Sequence, residues 1–395
     1  MRVGERHLKY CLNVHPGESW AATVENVLTH VQRVRRAVCP DEPFGLGMRI
    51  SAAAAQELTD EPAKLDAFRA LLTAENLYVF TINGFPYGQF HETEVKQDVY
   101  APDWRDERRV DYTVQLVRIL AALLPEGVAG SISTVPCSYD AWIASVADVR
   151  QMAANLARVA AECHTILRET DRCVTIALEP EPDCYVETTD EVIDFITGPL
   201  ARVGADTLRA QLGCSTDEAA AILKTHIGMC FDTSHQAVEF EDFCNGLQAL
   251  GSAGVKVAKM HLSSALEFTA TPAALAAAAK FVEPVYLHQT QARGAEGEIR
   301  SWPDLGEALA AGPEAADELW RVHYHVPLFW DGEGVLGSTN RLLDAAFFEA
   351  VAAVGCEHLE IETYTFTVLP EGLAVSDVCE GIAREFAWVR EQLAD

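Results

Sequence analysis

Basic side chains are scarce in this sequence: 30 Lys and Arg stand against 59 Asp and Glu, and the formal charge is -29. A chain so acidic is repelled by a polyanion unless its few basic residues gather on one face, which argues against nucleic acid and against an anionic membrane surface as partners. Long apolar runs are missing too. Nothing approaches the roughly 18 to 20 consecutive apolar residues of a membrane helix, the Ala-rich Thr271 to Val282 being too short. Met1 to Pro16, with Arg2, Glu5, Arg6 and Lys9, has no apolar stretch suited to an export signal. No Cys-x-x-Cys pair occurs. The eleven cysteines are odd in number and scattered from Cys11 to Cys379, so neither a disulfide framework nor a thiolate zinc site is signalled. These absences predict a cytoplasmic protein without membrane insertion, and a 49% apolar content excludes disorder.

Short β-branched, apolar runs alternate with stretches of helical period along the whole length. The runs are Lys9 to Val14, Phe44 to Ile50, Leu77 to Ile82, Gly130 to Val135, Val174 to Leu178, Ile227 to Phe231, Val255 to Leu262 and Leu359 to Thr363. Between them lie Ser19 to Val38, Ala52 to Leu72, Trp104 to Leu124, Tyr139 to Leu167 and Thr189 to Val203, and Val375 to Leu393 follows the last. Repeated βα units make a parallel sheet, and eight of them predict a closed (β/α)8 TIM barrel formed by residues 1–395 as one domain. For the Trp104 helix, Asp103 is the expected N-cap, with Pro125 and Gly127 as the stop. A ninth strand-like run, Leu319 to Pro327, falls within a long connection after strand seven, an insertion at approximately 266–357.

In such a barrel the catalytic groups collect at the carboxyl ends of the strands. Polar and metal-competent residues recur there: Asn13 and His15 after strand one, Asn83 after strand three, Glu179 and Glu181 after strand five. Asp232 and His235 follow strand six, His261 closes strand seven, and Glu360 and Glu362 lie in strand eight. The amino ends, with Cys173, Val174, His226 and Ile227, offer little comparable. Glu179, Asp232, His261 and Glu362 supply three carboxylates and one imidazole from four neighbouring strands. That mixed shell suits manganese, cobalt, zinc or magnesium and lacks the thiolates of a structural zinc site. Alternation of side chains puts Lys259 on the face of His261 and Glu360 on that of Glu362. Lys259 and Glu360 are expected to pair one layer down, with substrate binding by Lys259 as the alternative.

Several motifs resemble one superfamily. Phe231-Asp232-Thr233-Ser234-His235 is similar to the D-T-x-H segment after strand six of the xylose isomerase-like TIM barrels, which include sugar phosphate isomerases and epimerases and the endonuclease IV type of nuclease. Leu178-Glu179-Pro180, His261-Leu262 and Glu360-Ile361-Glu362-Thr363 resemble the segments of strands five, seven and eight. The resemblance implies Glu179, Asp232, His261 and Glu362 as metal ligands, with His235 at a second metal or the substrate. The D-x-H pair of the nuclease branch has its nearest counterpart in His323-Tyr324-His325, where a His replaces the Asp; Asn83 stands where that branch carries a zinc-binding His and Thr134 ends strand four without one, so the resemblance implies one or two ions, Mn2+ or Zn2+ foremost, and not a trinuclear site. Residues 10–18, 81–88 and 130–136 further resemble the EboE proteins, labelled metabolite traffic proteins and encoded in a bacterial cluster whose other products are possible protein partners.

Three functions follow from this reading. The first is a metal-dependent isomerase or epimerase of a small polyhydroxylated metabolite, a sugar, sugar phosphate or cyclitol. A divalent ion chelating a carbonyl and its neighbouring hydroxyl acidifies the intervening C-H and stabilises an enediolate. Glu179 and Glu362, themselves ligands, are the expected proton-transfer groups with His235 or His325 as auxiliary, and Asn13, His15, Asn83, Lys259 and Trp330 are the expected substrate-binding residues. Phe85, Tyr87 and Trp104 are further candidate walls of the pocket. The second is a non-catalytic metabolite carrier, and the third is an endonuclease IV-like phosphodiesterase, against which the scarcity of Lys and Arg speaks.

Overall fold

The chain was analysed as a computed structural model, which describes residues 1–85, 96–315, 317–370, 375 and 377–394. Eight parallel strands form the central barrel: Arg6–Tyr10, Phe44–Arg49, Leu77–Asn83, Gly130–Thr134, Val174–Leu178, Ile227–Asp232, Val257–Leu262 and His358–Ile361. Seven adjacent pairs are laddered, and the first and second strands meet at the parallel bridge Cys11↔Gly47, which closes the ring. Gly47 is required there: a Cβ would lie 1.5 Å from Lys9 Nζ, whose side chain crosses the interior at that point.

The helices form the outer layer because each buries one stripe against the strands. Val146–Thr170, the longest, begins at a capping box of Ser145 and Asp148 and buries Val149, Met152, Leu156, Val159 and Cys163. The segment expected as one helix over 52–72 is divided at Pro62 into Ala52–Asp60 and Pro62–Ala74, because proline cannot donate to the preceding turn. The helix expected from Trp104 begins at Glu107 and is capped by Asp106 rather than Asp103. The Asp103 carboxylate is taken up by Arg105 and Ser138. The first strand also lies earlier than expected and stops at Tyr10, and Leu12–Val14 form a 3-10 turn that carries Asn13 over the barrel mouth.

Between the seventh and eighth strands the chain builds a second, antiparallel sheet. Its order is Ile299–Trp302, Thr290–Arg293, Leu319–His325, Ala265–Thr269, Leu336–Ser338 and Gly332–Glu333. Leu319–His325, the ninth run of the sequence, is interior to this sheet and is paired on both sides. Helix Ala345–Ala353 then leads into the eighth barrel strand. The effect of the insertion is to set the strand bearing His323 and His325 beside helix Thr233–Val238 at the carboxyl end of the sixth barrel strand.

Candidate metal centre

The site rests on a polar layer inside the barrel. Glu360 lies between two fully buried lysines, paired with Lys9 and, at 2.6 Å, with Lys259. Asn83 donates to Glu360 Oε1 over 2.9 Å and accepts from Ser133 and Lys259. Burial opposes the charge on Glu360, but Lys259 and Lys9 outweigh it and hold the carboxyl well below its usual range. Asn83 and Lys259 therefore sit beneath the mouth, held by one another and by Glu360. The expected ion pair of Lys259 with Glu360 is present, with Lys9 as a second cation.

One layer above is His261. Its Nε2 lies 3.2 Å from Glu360, and its Nδ1 faces Glu179 at 2.6 Å, Glu362 at 2.9 Å and Asp232 at 3.6 Å. The four residues taken from separate strand ends thus converge, with one ligand atom from each lying within 4.8 Å of the others, and all four buried. Asp232 is presented with care: it caps helix Thr233–Val238, and its Oδ1 accepts from the Ser234 and His235 amides and from Ser263 Oγ. Its Oδ2, like Glu179 Oε2, is buried with no hydrogen-bond partner. Burial would lower His261, but the Glu179 and Glu362 carboxylates raise it well above its ordinary value. Cys230 itself lies close to Glu179 and His261, and burial pushes its thiol up to about 12, so it offers a thiol rather than a thiolate.

Beside this set lies a group of three imidazoles, His235, His323 and His325, again with ligand atoms within 4.8 Å of one another. Each ring is oriented by its Nδ1. His235 donates to the Pro180 carbonyl over 2.8 Å, and His325 to the Glu362 carbonyl over 2.6 Å. His323 meets Gln289 Oε1 at 2.8 Å, and the Gln289 amide is fixed because its Nε2 donates to the Pro182 carbonyl and to Tyr100. These partners accept and cannot donate, so every Nδ1 carries the proton, and in His323 and His325, which burial holds in the neutral form, Nε2 is left with a lone pair. The Nε2 atoms of His323 and His325 are buried and unpartnered. Acceptors that converge without a donor call for a cation, and the Nδ1 bonds are the outer contacts that orient metal-ligating histidines. Burial would lower His235, yet Asp232, Glu181 and Glu179 raise it to about 9. The residues of both groups fit divalent ions by donor type, by orientation and by these orphaned atoms.

Above them is a cavity of about 80 Å³ whose lining includes Asn13, Glu179, Glu181, His235, His323 and Glu362 at the polar end, with Phe85, Tyr100, Tyr286 and Tyr364 on its walls. Asn13 reaches Glu362 Oε1 at 3.4 Å. Glu181, two residues beyond Glu179, belongs to neither ligand group; it accepts from Tyr100 Oη over 2.7 Å, and burial raises it to about 7 against the influence of His235 and that hydrogen bond. Its position at a strand end was the signal for it, while its separation from the ligand sets follows from the fold.

Other candidates lie elsewhere. His15 is packed against Tyr10, at 3.0 Å from its hydroxyl, and is stacked on His30. Trp104 is fully buried with its Nε1 on Thr134, and Trp330 is half-buried against the core; neither lines the cavity. Tyr87 lies outside the described residues.

No family profile and no curated protein matches this chain. Solved structures do match. A xylose isomerase-like TIM barrel protein from Mycobacterium smegmatis in complex with magnesium superposes with a TM-score of 0.53 at 11% identity, over 98% of this chain and 96% of that one. A xylose isomerase domain protein from Alicyclobacillus acidocaldarius gives a TM-score of 0.49 at 15% identity, over 98% of each chain. A D-tagatose 3-epimerase-like protein gives 0.49 at 10% identity, over 98% of this chain and all of that one. The shared feature is the xylose isomerase-like TIM-barrel fold.

Proposed function

We propose that the protein is a divalent-metal-dependent isomerase or epimerase of a small polyhydroxylated metabolite, moving a proton at a carbon beside a carbonyl. One observation carries this reading: ligand atoms of two kinds converge beneath one small cavity into which a further carboxyl, Glu181, also faces. Glu179, Asp232, His261 and Glu362 would hold one ion, and His235, His323 and His325 a second. A bound divalent ion supplies Lewis acidity, which lowers the pKa of an adjacent C-H or O-H.

The chain's own groups do the rest. Glu181, outside both ligand sets and facing the cavity, is placed to take a proton from a substrate carbon and return it, while Tyr100 and its partner Gln289 hold the carboxyl in place. This shifts the proton-transfer role from Glu179 and Glu362, whose oxygens face His261 Nδ1. Asn13 offers an amide to a substrate oxygen at the rim, and Phe85, Tyr286 and Tyr364 shield the site from water. Lys96 on the cavity wall is paired with Asp304 at 3.2 Å, which leaves it ill suited to gripping a phosphodiester backbone.

The likeness of residues 10–18, 81–88 and 130–136 to EboE proteins adds the carrier as a second reading, with Asn13 and Phe85 of these segments in the cavity lining. Incubation of the metal-loaded protein with candidate sugars, sugar phosphates and cyclitols in D2O separates the two. Solvent deuterium at one substrate carbon supports the enzyme; metal-dependent binding without incorporation or product supports the carrier.

A further inference from the structure

Two segments far apart in sequence must meet to bring the three imidazoles together. His235 sits on the six-residue helix Thr233–Val238, while His323 and His325 belong to strand Leu319–His325 of the second sheet. Arg321, His323 and His325 share the face of that strand turned toward the helix, with a register shift against Ala265–Thr269 between Val322 and His325. That face meets the helix at two points. At one, the His235 and His323 rings stand 4.4 Å apart. At the other, Arg321 Nη1 donates to the carbonyl oxygen of Ala237 over 2.7 Å, at the carboxyl end of the same helix.

The guanidinium is itself fixed on three sides. Its Nε donates over 2.8 Å to Glu267 Oε2, on the neighbouring strand and directly opposite in register. Its Cζ lies 4.4 Å from the centre of the Phe240 ring, and that of Arg293 lies 4.5 Å from it. Phe240 follows the helix at φ 56°, a left-handed conformation costly for a bulky side chain, which persists only where its surroundings hold it. Arg321 is only 5% exposed, and Arg341 shares its carboxylate partner. A fork of this kind can bind a carboxylate and a helix-terminal carbonyl at once, which a single ammonium cannot do with the same geometry.

We propose that Arg321 is a positioning residue for the histidine group: it ties the helix that carries His235 to the strand that carries His323 and His325 and sets the spacing of their Nε2 atoms. This rests on the reading that these imidazoles hold a metal ion. The role differs from general packing because Arg321 bridges the two segments and touches none of the three rings through a hydrogen bond.

The test uses the full chain and Co2+ as the probe, with stoichiometry from elemental analysis and site occupancy from the visible ligand-field spectrum. Wild type takes two equivalents, and His323→Ala takes one. Arg321→Met keeps the first equivalent at wild-type affinity and binds the second about 10- to 100-fold more weakly, the range usual for outer contacts of a metal site. Arg321→Lys, which retains the charge, is intermediate. Should Arg321→Met fail to fold, Arg321→Lys decides alone, with any weakening confined to the second equivalent. Two equivalents in wild type, one in His323→Ala and undiminished second-site affinity in every folded Arg321 variant would overturn the role of Arg321 alone. A single equivalent in wild type, unchanged by His323→Ala, would overturn the histidine site and this role with it.

Discussion

His325 donates its Nδ1 proton to the backbone carbonyl of Glu362 over 2.6 Å. One hydrogen bond thereby joins His323 and His325, delivered by the inserted sheet, to the eighth barrel strand's end, which carries a carboxylate of the other group. The histidine group, completed by His235 from the barrel side, is fixed to the carboxylate group at this point.

The donor sets differ in kind, and their metal preferences should differ with them. Three neutral imidazoles favour Zn2+ or Co2+ over Mn2+ or Mg2+, whereas three carboxylates and one imidazole accept the harder ions readily. Replacing His325 with Ala should remove the more tightly held Zn2+ equivalent and leave Mn2+ binding at the carboxylates within a few-fold of wild type. Competition titrations followed by elemental analysis check this, and equal loss of both ions would contradict it.

Glu181→Gln keeps the size and the hydrogen-bonding reach of the side chain and removes its proton-transfer capacity. Activity on the substrate identified by deuterium exchange should fall by about 10²- to 10⁴-fold, as for other lost acid/base groups. Metal content should not change, since Glu181 lies outside both ligand groups. A variant with full activity would return proton transfer to another residue.

Lys259 contacts Glu360, Asn83 and Ser133 in the sealed barrel interior. Removing Lys259 leaves Glu360 with Lys9 as its one remaining lysine and takes a buried donor from Asn83 and Ser133, and breaking a buried ion pair costs up to about 3 to 5 kcal/mol. Lys259→Met should lose roughly that much in denaturant unfolding. A loss of under about 1 kcal/mol would show that Lys9 alone satisfies Glu360.

Glu385 is buried on the last helix, where it accepts from the Leu328 amide and from Thr363 Oγ1. Burial raises its carboxyl from 4.5 to about 8. A group raised on folding contributes stability that is complete below its unfolded value and is lost as pH rises through its folded value. Glu385→Gln has no such dependence, so its stability relative to wild type should improve between pH 5 and pH 8.5, by an amount on the order of a few kcal/mol. The same difference at both pH values would contradict this account.

The barrel was legible because each strand announces itself locally: apolar runs such as Val174–Leu178 and Ile227–Asp232 are short, and helical periods separate them. Knowing the fold, one could place Glu179, Asp232, His261 and Glu362 at strand ends from position alone. The second sheet was less legible, since Ala265–Thr269 pairs with Leu319–His325 across about fifty residues and nothing local states that register. Lys9 was hidden for a related reason, being read as the start of the first strand although it points into the barrel and needs Gly47 opposite to admit it. His15 follows the first strand as a ligand would, but the turn at Leu12–Val14 directs its ring to Tyr10. The suitability of Glu181 depends on burial beside Tyr100, a property of the folded chain.

Metal analysis of the native protein, with Asp232→Ala and His261→Ala purified alongside, tests the central claim most directly. Two divalent equivalents per chain in the native protein, with the carboxylate-site equivalent lost from both variants, is the predicted result. Native protein free of divalent metal after purification without chelator, or unchanged metal content in both variants, would contradict it.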